Sequence, residues 1–345
     1  MGLTINHNDS EKKKIVLESL NLLEWPTICS HLSTFAITQQ GRKRCESFNL
    51  PSDITSSQEL LCQTLEIGSL DSTIEGGISF QGVHNLESIL LICSKGGVAL
   101  GEDLLKVAET LRVSRKLRKL IFDQLTRPKL SKLLLDIATL PDLQKLLEFG
   151  LDEGGRIADR ASTKLSELRR HRDAVRLQRK DILQEIIRKY SSLLQDNIIS
   201  ERYGRPVLAF KAGTSDQIRG MVHDSSASGN TIYVEPLAVI SIGNRLAKLD
   251  SEISEEERRL LANWSKEVGI NAIAIAQLGD VLLQIEFALA RARYSKWLNG
   301  VPPILDENEN TLFDIKDFRH PVLVWNDFHA KKTTVVPISF DVSPD

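Results

Sequence analysis

The chain has 345 residues, with 44 Lys and Arg against 46 Asp and Glu and a formal net charge of −2, so a partner held by bulk charge alone is excluded. With 41% hydrophobic and 26% charged residues, disorder as the main state is excluded as well. The length suggests two or three domains, and 20 Gly, 11 Pro and 6% aromatics beside abundant Leu, Ile, Lys, Arg and Glu predict a mainly α fold rather than a sandwich or barrel.

Met1 to Lys14 is charged and has no apolar h-region, which argues against a secretory leader and for the cytoplasm. Residues 1–150 then read helix, short loop, helix. Pro26, Pro51, Gly76-Gly77, Gly96-Gly97, Pro128 and Pro141 punctuate runs such as Asp103 to Phe122, where Leu104, Leu105, Val107, Ala108, Leu111 and Leu117 mostly keep helical spacing. This is the predicted helical core.

Residues 151–195 change character. Arg156 to Gln195 holds no Pro or Gly, and Ile157, Ala161, Leu165, Leu168, Arg172, Val175, Arg179, Ile182, Ile186, Tyr190 and Leu193 recur every three or four positions. The pattern predicts one continuous outgoing helix about 60 Å long at about 1.5 Å per residue. Residues 196–240 break the period. Arg202 to Phe210, Gln217 to His223 and Thr231 to Pro236 are β-like runs separated by Gly, Ser, Asn and Asp, predicting a small antiparallel sheet.

Helical spacing resumes over residues 241–299, from Ile242 through Leu289, predicting one returning helix antiparallel to the first. Its most apolar part, Ile270 to Ala290, is interrupted by Asn271, Gln277, Asp280, Gln284 and Glu286, as in a packed helix rather than a membrane span. A helix leaves, a β tip forms and a helix returns, so a small rotation at the core would become a large displacement at the tip. That leverage suits a clamp better than an active site. In residues 300–345, Arg319 to Trp325 and Thr334 to Phe340 read as strands that begin a further domain whose cover lies elsewhere.

Catalytic motifs are absent. No G-x-x-x-x-G-K-[ST] loop occurs, so nucleotide hydrolysis is not expected of this chain. His223 to Gly229 contains triad residue types within one turn, without a nucleophile elbow. Its small residues, Ser226 and Ser228 among them, allow close approach either of a neighbouring strand or of a phosphate backbone. Cys29, Cys45, Cys62 and Cys93 lack metal-site spacing and read as reduced thiols, with no metal expected.

Charge is uneven. Leu111 to Lys132 carries eight cations against Asp123, and Arg156 to Gln195 eleven against five. Such runs are solvated helix faces or phosphate contacts. At the tip, Arg202, Arg205, Lys211 and Arg219 stand near Tyr203 and Tyr233, the mixture of cations and flat rings that nucleic-acid binding uses. Asp196, Glu201, Asp216, Asp224 and Glu235 share that region.

Four blocks carry a resemblance: Lys95-Gly96-Gly97-Val98; Leu151-Asp152-Glu153-Gly154-Gly155-Arg156-Ile157-Ala158-Asp159-Arg160-Ala161-Ser162; His223 to Gly229 with Val234 to Val239; and Arg319-His320-Pro321. In this order they resemble the bacterial MutS-two family, the MutS paralogue that suppresses recombination rather than repairing mismatches. The resemblance implies a core, a lever with a clamp at its tip, and the first strands of an ABC-type ATPase whose phosphate loop would begin shortly after Asp345. It implies that this chain is a fragment without ATPase or Smr nuclease domain, and that ATP, magnesium, a homodimer and endonuclease activity belong to the parent.

DNA, branched or double-stranded and bound without base readout, is the implied partner, with no membrane. The Phe-x-Glu mismatch motif of MutS is absent, as the family implies. Ser225 stands where the family turn usually has Gln, and Asn230 where a small residue is usual. By similarity to MutS proteins, Val335 and Pro337 would line the edge of the nucleotide site. Two alternatives compete: a ribosome- or rRNA-binding clamp, since family members are linked to stalled ribosomes, and an SMC-like structural arm.

Overall fold

A computed structural model of the chain describes residues 15–16, 18–51, 53–214, 217–305, 313–330 and 334–342; the N-terminal run Met1 to Lys14 and the tip residue Asp216 lie outside them. The chain is mostly helical with a small antiparallel sheet. The helices are α1 (Trp25–Ser33), α2 (Gln39–Glu46), α3 (Ile54–Thr73), α4 (Glu87–Ser94), α5 (Gly101–Ile121), α6 (Pro128–Leu135), α7 (Pro141–Gly150), α8 (Thr163–Lys189), α9 (Leu237–Ile270), α10 (Ala272–Trp297) and α11 (Pro321–Ala330). The strands are β1 (Leu194–Arg202), β2 (Arg205–Lys211), β3 (Gly220–Ser225), β4 (Thr231–Pro236), β5 (Phe313–Phe318) and β6 (Ile338–Val342).

Two compact units divide the chain. The first comprises Met1–Lys95, Leu105–Lys145 and Val268–Asp345. Its axis is α10, which packs against α2, α3 and α4 and buries Ile275, Leu278, Leu282, Ile285, Phe287 and Leu289. By length and composition alone α10 could cross a membrane. It serves here as a core helix: its buried Glu286 accepts hydrogen bonds from the backbone N–H groups of Ile37 and Thr38 at 2.8 and 2.6 Å, and Arg293 forms a bidentate pair with Asp71.

The second unit comprises Gly96–Leu104 and Leu146–Glu267. Here α8 and α9 lie antiparallel, with Val175 against Leu246 and Leu249, Arg169 bridged to Glu257 and Ser162 bonded to Glu256. The four-stranded sheet has order β1-β2-β4-β3, every neighbouring pair antiparallel. Leu208, Phe210 and Val234 from its inner face join Leu183, Leu194, Ile218 and Val239 in one core. Strand alternation explains this: β2 and β4 send every second side chain toward the helix end.

Four element assignments differ from the sequence expectation. The outgoing helix spans 27 residues, not the whole of Arg156 to Gln195. Ser162, in extended conformation, caps it through a bond from the Leu165 N–H, while 3-10 turns at Glu153–Gly155 and Asp159–Ala161 precede it. Leu194 opens β1 because it pairs with Phe210 across the sheet. The returning pattern is two helices, broken at Asn271. Finally, Arg319 to Trp325 is not a strand: Pro321 stands at the first turn of α11, where its fixed φ suits a helix, and Trp325 stacks on His31 at 4.0 Å and packs 5.0 Å from Trp297.

A buried carboxylate fastens α8 to α9. Glu256 is 1% exposed and accepts hydrogen bonds from Arg259 and from the Ser162 hydroxyl, with Lys164 at 3.4 Å. The Arg259 bonds, chiefly, hold its pKa down to about 2. Because the folded pKa is lowered, its contribution is complete above the usual value of 4.5 and is lost as pH falls through about 2. Glu256→Gln is expected to lower stability at neutral pH by about 2 kcal/mol. In urea titrations the gap between the two proteins narrows below pH 4.5; a gap that stays constant as pH falls toward about 2 would contradict the assignment.

Candidate nucleic-acid interface

The sheet of the second unit carries most of the sequence-predicted contact residues, but it uses many of them internally. Arg202 and Arg205 flank the two-residue β1–β2 turn, in which Tyr203 and Gly204 both have positive φ, 51° and 73°. This is the backbone that glycine accommodates and that matches the twist of a hairpin. Tyr203 stands out at the turn, 82% exposed.

Arg202 lies over the Tyr233 ring at 4.2 Å and its Nε bonds Asp224 at 3.3 Å. One face of Tyr233 is therefore occupied by a cation. Arg205 bonds the Asn244 side chain at 3.1 Å and lies 3.6 Å from Oε1 of Glu235. Glu235 is buried, and its Oε2 meets His223 Nε2 at 2.8 Å. Lys211 donates to the Ser192 carbonyl at 3.0 Å.

The turn between β3 and β4 also closes on itself. The Ser226 N–H donates to the Thr231 carbonyl at 2.8 Å, the Ser226 hydroxyl accepts from the Thr231 N–H at 3.1 Å, and the Ser226 and Ser228 hydroxyls stand 3.3 Å apart. Ser228 and Gly229 remain exposed at its apex. The close approach permitted by these small residues is, at Ser226, to a neighbouring strand.

Arg219 is placed differently. It is exposed and lines a groove of about 660 Å³ with Lys189, Gln217, Tyr190, Glu185 and Ile218, where the end of α8 meets the sheet. Lys189 is not among the contacts expected from sequence. It closes a helix far along the chain from Arg219, and only folding of the sheet onto Leu183 and Leu194 brings the two to one groove. The signal available in the sequence is its place in the basic run of the outgoing helix.

No family model matches the chain. Curated relatives do, along nearly its whole length. The "Endonuclease MutS2" of Synechocystis sp. is 38% identical over 336 residues, covering 97% of this chain and 41% of that protein. That of Pelotomaculum thermopropionicum is 31% identical over 335 residues, 95% of this chain and 41% of the relative. That of Clostridium kluyveri is 28% identical over 336 residues, 95% of this chain and 41% of the relative.

The chain belongs to the MutS2 family. It spans 41% of the length of these relatives.

The MutS2-like blocks have visible structural work in the second unit. In the block from Leu151 to Ser162, Gly155 has φ 73°, and a Cβ there would lie 2.1 Å from the Glu102 nitrogen, so two backbones meet without side chains. Arg160 of the same block bonds Asp152 and the carbonyls of Glu148 and Leu151. Ser225, in the turn block of the resemblance, pairs with Ile232 of β4.

Of the positions expected to edge a nucleotide site, Val335 is half-buried and Pro337 exposed, both in the stretch before β6. Among the described residues no His, Cys, Asp and Glu cluster has metal-holding geometry. The cysteines form no disulfide; Cys29, Cys45 and Cys93 are buried, and burial pushes the Cys45 thiol up to about 12.

Proposed function

We propose that this chain is the DNA-gripping part of a MutS2-type protein, a clamp on an antiparallel helix pair that holds double-stranded or branched DNA by its phosphates. The observation that carries the reading is the groove beside the sheet, where Lys189, Gln217 and Arg219 present an ammonium, an amide and a guanidinium to one space. Such donors fit phosphate oxygens and carry no base code. The charge is local, which agrees with a net charge of −2 for the chain. Suppression of homologous recombination follows as the role of such a grip in the cytoplasm. ATP, magnesium, homodimer formation and endonuclease chemistry are assigned to the rest of a longer protein, and no step of the grip is routed through them.

The reading is tested with Lys189→Gln/Arg219→Gln in the 345-residue chain. On a short labelled duplex, loss of two phosphate contacts lowers the slope of log affinity against log salt by about 2. Arg202→Gln is expected to change this slope little, because its charge is already met by Asp224. Unchanged binding in the double variant would refute the groove. Ribosomes or ribosomal RNA displacing the chain from DNA at lower concentration than unlabelled duplex would replace DNA by the ribosome as partner.

A further inference from the structure

The basic run of the first unit is unrelated to the sheet. Leu111 to Phe122 holds five cations and no carboxylate. On α5, Arg112, Arg115, Lys116 and Lys119 stand at i, i+3, i+4 and i+7, all exposed on one face. Another face of the helix is closed against the first unit: Val107, Ala108, Leu111, Leu117 and Ile121 are buried. The pairs Arg112 with Lys116 and Arg115 with Lys119 place like charges four residues apart, an arrangement that disfavours the helix.

Open grooves run along both flanks of this stripe. One, of about 680 Å³, is lined by Arg115, Arg118, Lys119, Phe122, Thr139 and Gln144. The other, of about 570 Å³, is lined by Gly82, His84, Glu109, Arg112 and Lys116 among others. Arg115 bonds the Gln144 amide oxygen and Arg118 the Ile137 carbonyl, each at 2.9 Å and each neutral. The second groove also holds one carboxylate, that of Glu109, which meets His84 Nε2 at 2.7 Å.

We infer that this stripe is a second contact surface, for the phosphate backbone of duplex DNA. Four cations fixed on one face over about 10 Å of helix suit a regular row of phosphates. The rings among the lining residues are Phe122, 5.9 Å from the Arg118 guanidinium, and His84 in the other groove, held by Glu109, so neither groove has a row of rings on which unpaired bases would stack. The inference goes beyond the tip reading and needs none of it.

The test measures anisotropy of a short labelled DNA duplex with the 345-residue chain over a range of salt. Arg112→Gln/Arg115→Gln/Lys116→Gln/Lys119→Gln lowers the salt slope by about 3 to 4, and Lys116→Gln/Lys119→Gln, which leaves the Arg115 bond to Gln144 intact, lowers it by about 2. The same losses recur in a Lys189→Gln/Arg219→Gln background. Slopes unchanged in both stripe variants overturn the surface and leave the tip reading standing; loss in the stripe variants with an unchanged Lys189→Gln/Arg219→Gln protein does the reverse. Tighter binding of single strands or of duplex RNA than of duplex DNA overturns the assignment to duplex DNA.

Discussion

Gly155→Ala is expected to destabilise the second unit by about 4 kcal/mol. Alanine at φ 73° costs about 1 to 2 kcal/mol in a left-handed conformation. Its Cβ would also lie 2.1 Å from the Glu102 nitrogen and 2.4 Å from the Gly101 carbonyl carbon, both backbone atoms that cannot swing aside. Overpacking of this kind adds about 1 to 3 kcal/mol. Gly154 is the internal control, because it has the same φ of 73° with nothing within 4 Å of the added methyl. Gly154→Ala should therefore cost only the conformational part. Urea unfolding followed by circular dichroism compares the two; equal losses would show that backbone conformation alone, and not the meeting of two chain segments, demands Gly155.

Glu286→Ala should cost the first unit about 3 kcal/mol. The carboxylate is 2% exposed. It accepts the Ile37 N–H at 2.8 Å, the Thr38 N–H at 2.6 Å and the Thr38 hydroxyl at 2.6 Å. Thr38 in turn caps α2 through the Gly41 N–H. Removing the acceptor leaves two half-buried amides and a hydroxyl without this partner, each worth about 1 to 3 kcal/mol where water cannot reach it. Glu286→Gln keeps the shape and one acceptor oxygen and should cost less than half as much. A loss in Glu286→Ala below about 1 kcal/mol, measured by the same unfolding, would mean that the α2 N-terminus finds its partners elsewhere.

Much of the fold is legible because its signals are local. Helical spacing of apolar residues announces α5, α8 and α9, and the sudden loss of that spacing announces the sheet. Thr231 to Pro236 reads as a strand and is β4. The expectations that fail do so for non-local reasons. Ser162 caps α8 while its hydroxyl is held by Glu256, 94 residues away. Leu194 looks like the last turn of a helix until its partner Phe210 is known. Val322-Leu323-Val324-Trp325 is β-like in composition, and burial of Val322 together with stacking of Trp325 on His31 overrides that preference.

The contact residues show the same division. Residue type and order locate Arg202, Arg205, Lys211, Arg219, Tyr203 and Tyr233 in one β module. Sequence cannot say which of those charges is already spent: Arg202 on Asp224 and Tyr233, and Arg205 near Glu235, are settled by strand register, which places residues 22 and 30 positions apart side by side. Lys189 enters the groove by the same folding.

By itself, then, the sequence determined the mainly helical class, the position of the β module between two helical stretches, and the MutS2 family, because propensity, periodicity and ordered motifs are properties of neighbouring residues. The tertiary structure decided where helices start and stop, which cations face a groove rather than a carboxylate, and why Gly155 must lack a side chain. These depend on distances between residues far apart in the chain, which only the packed backbone sets.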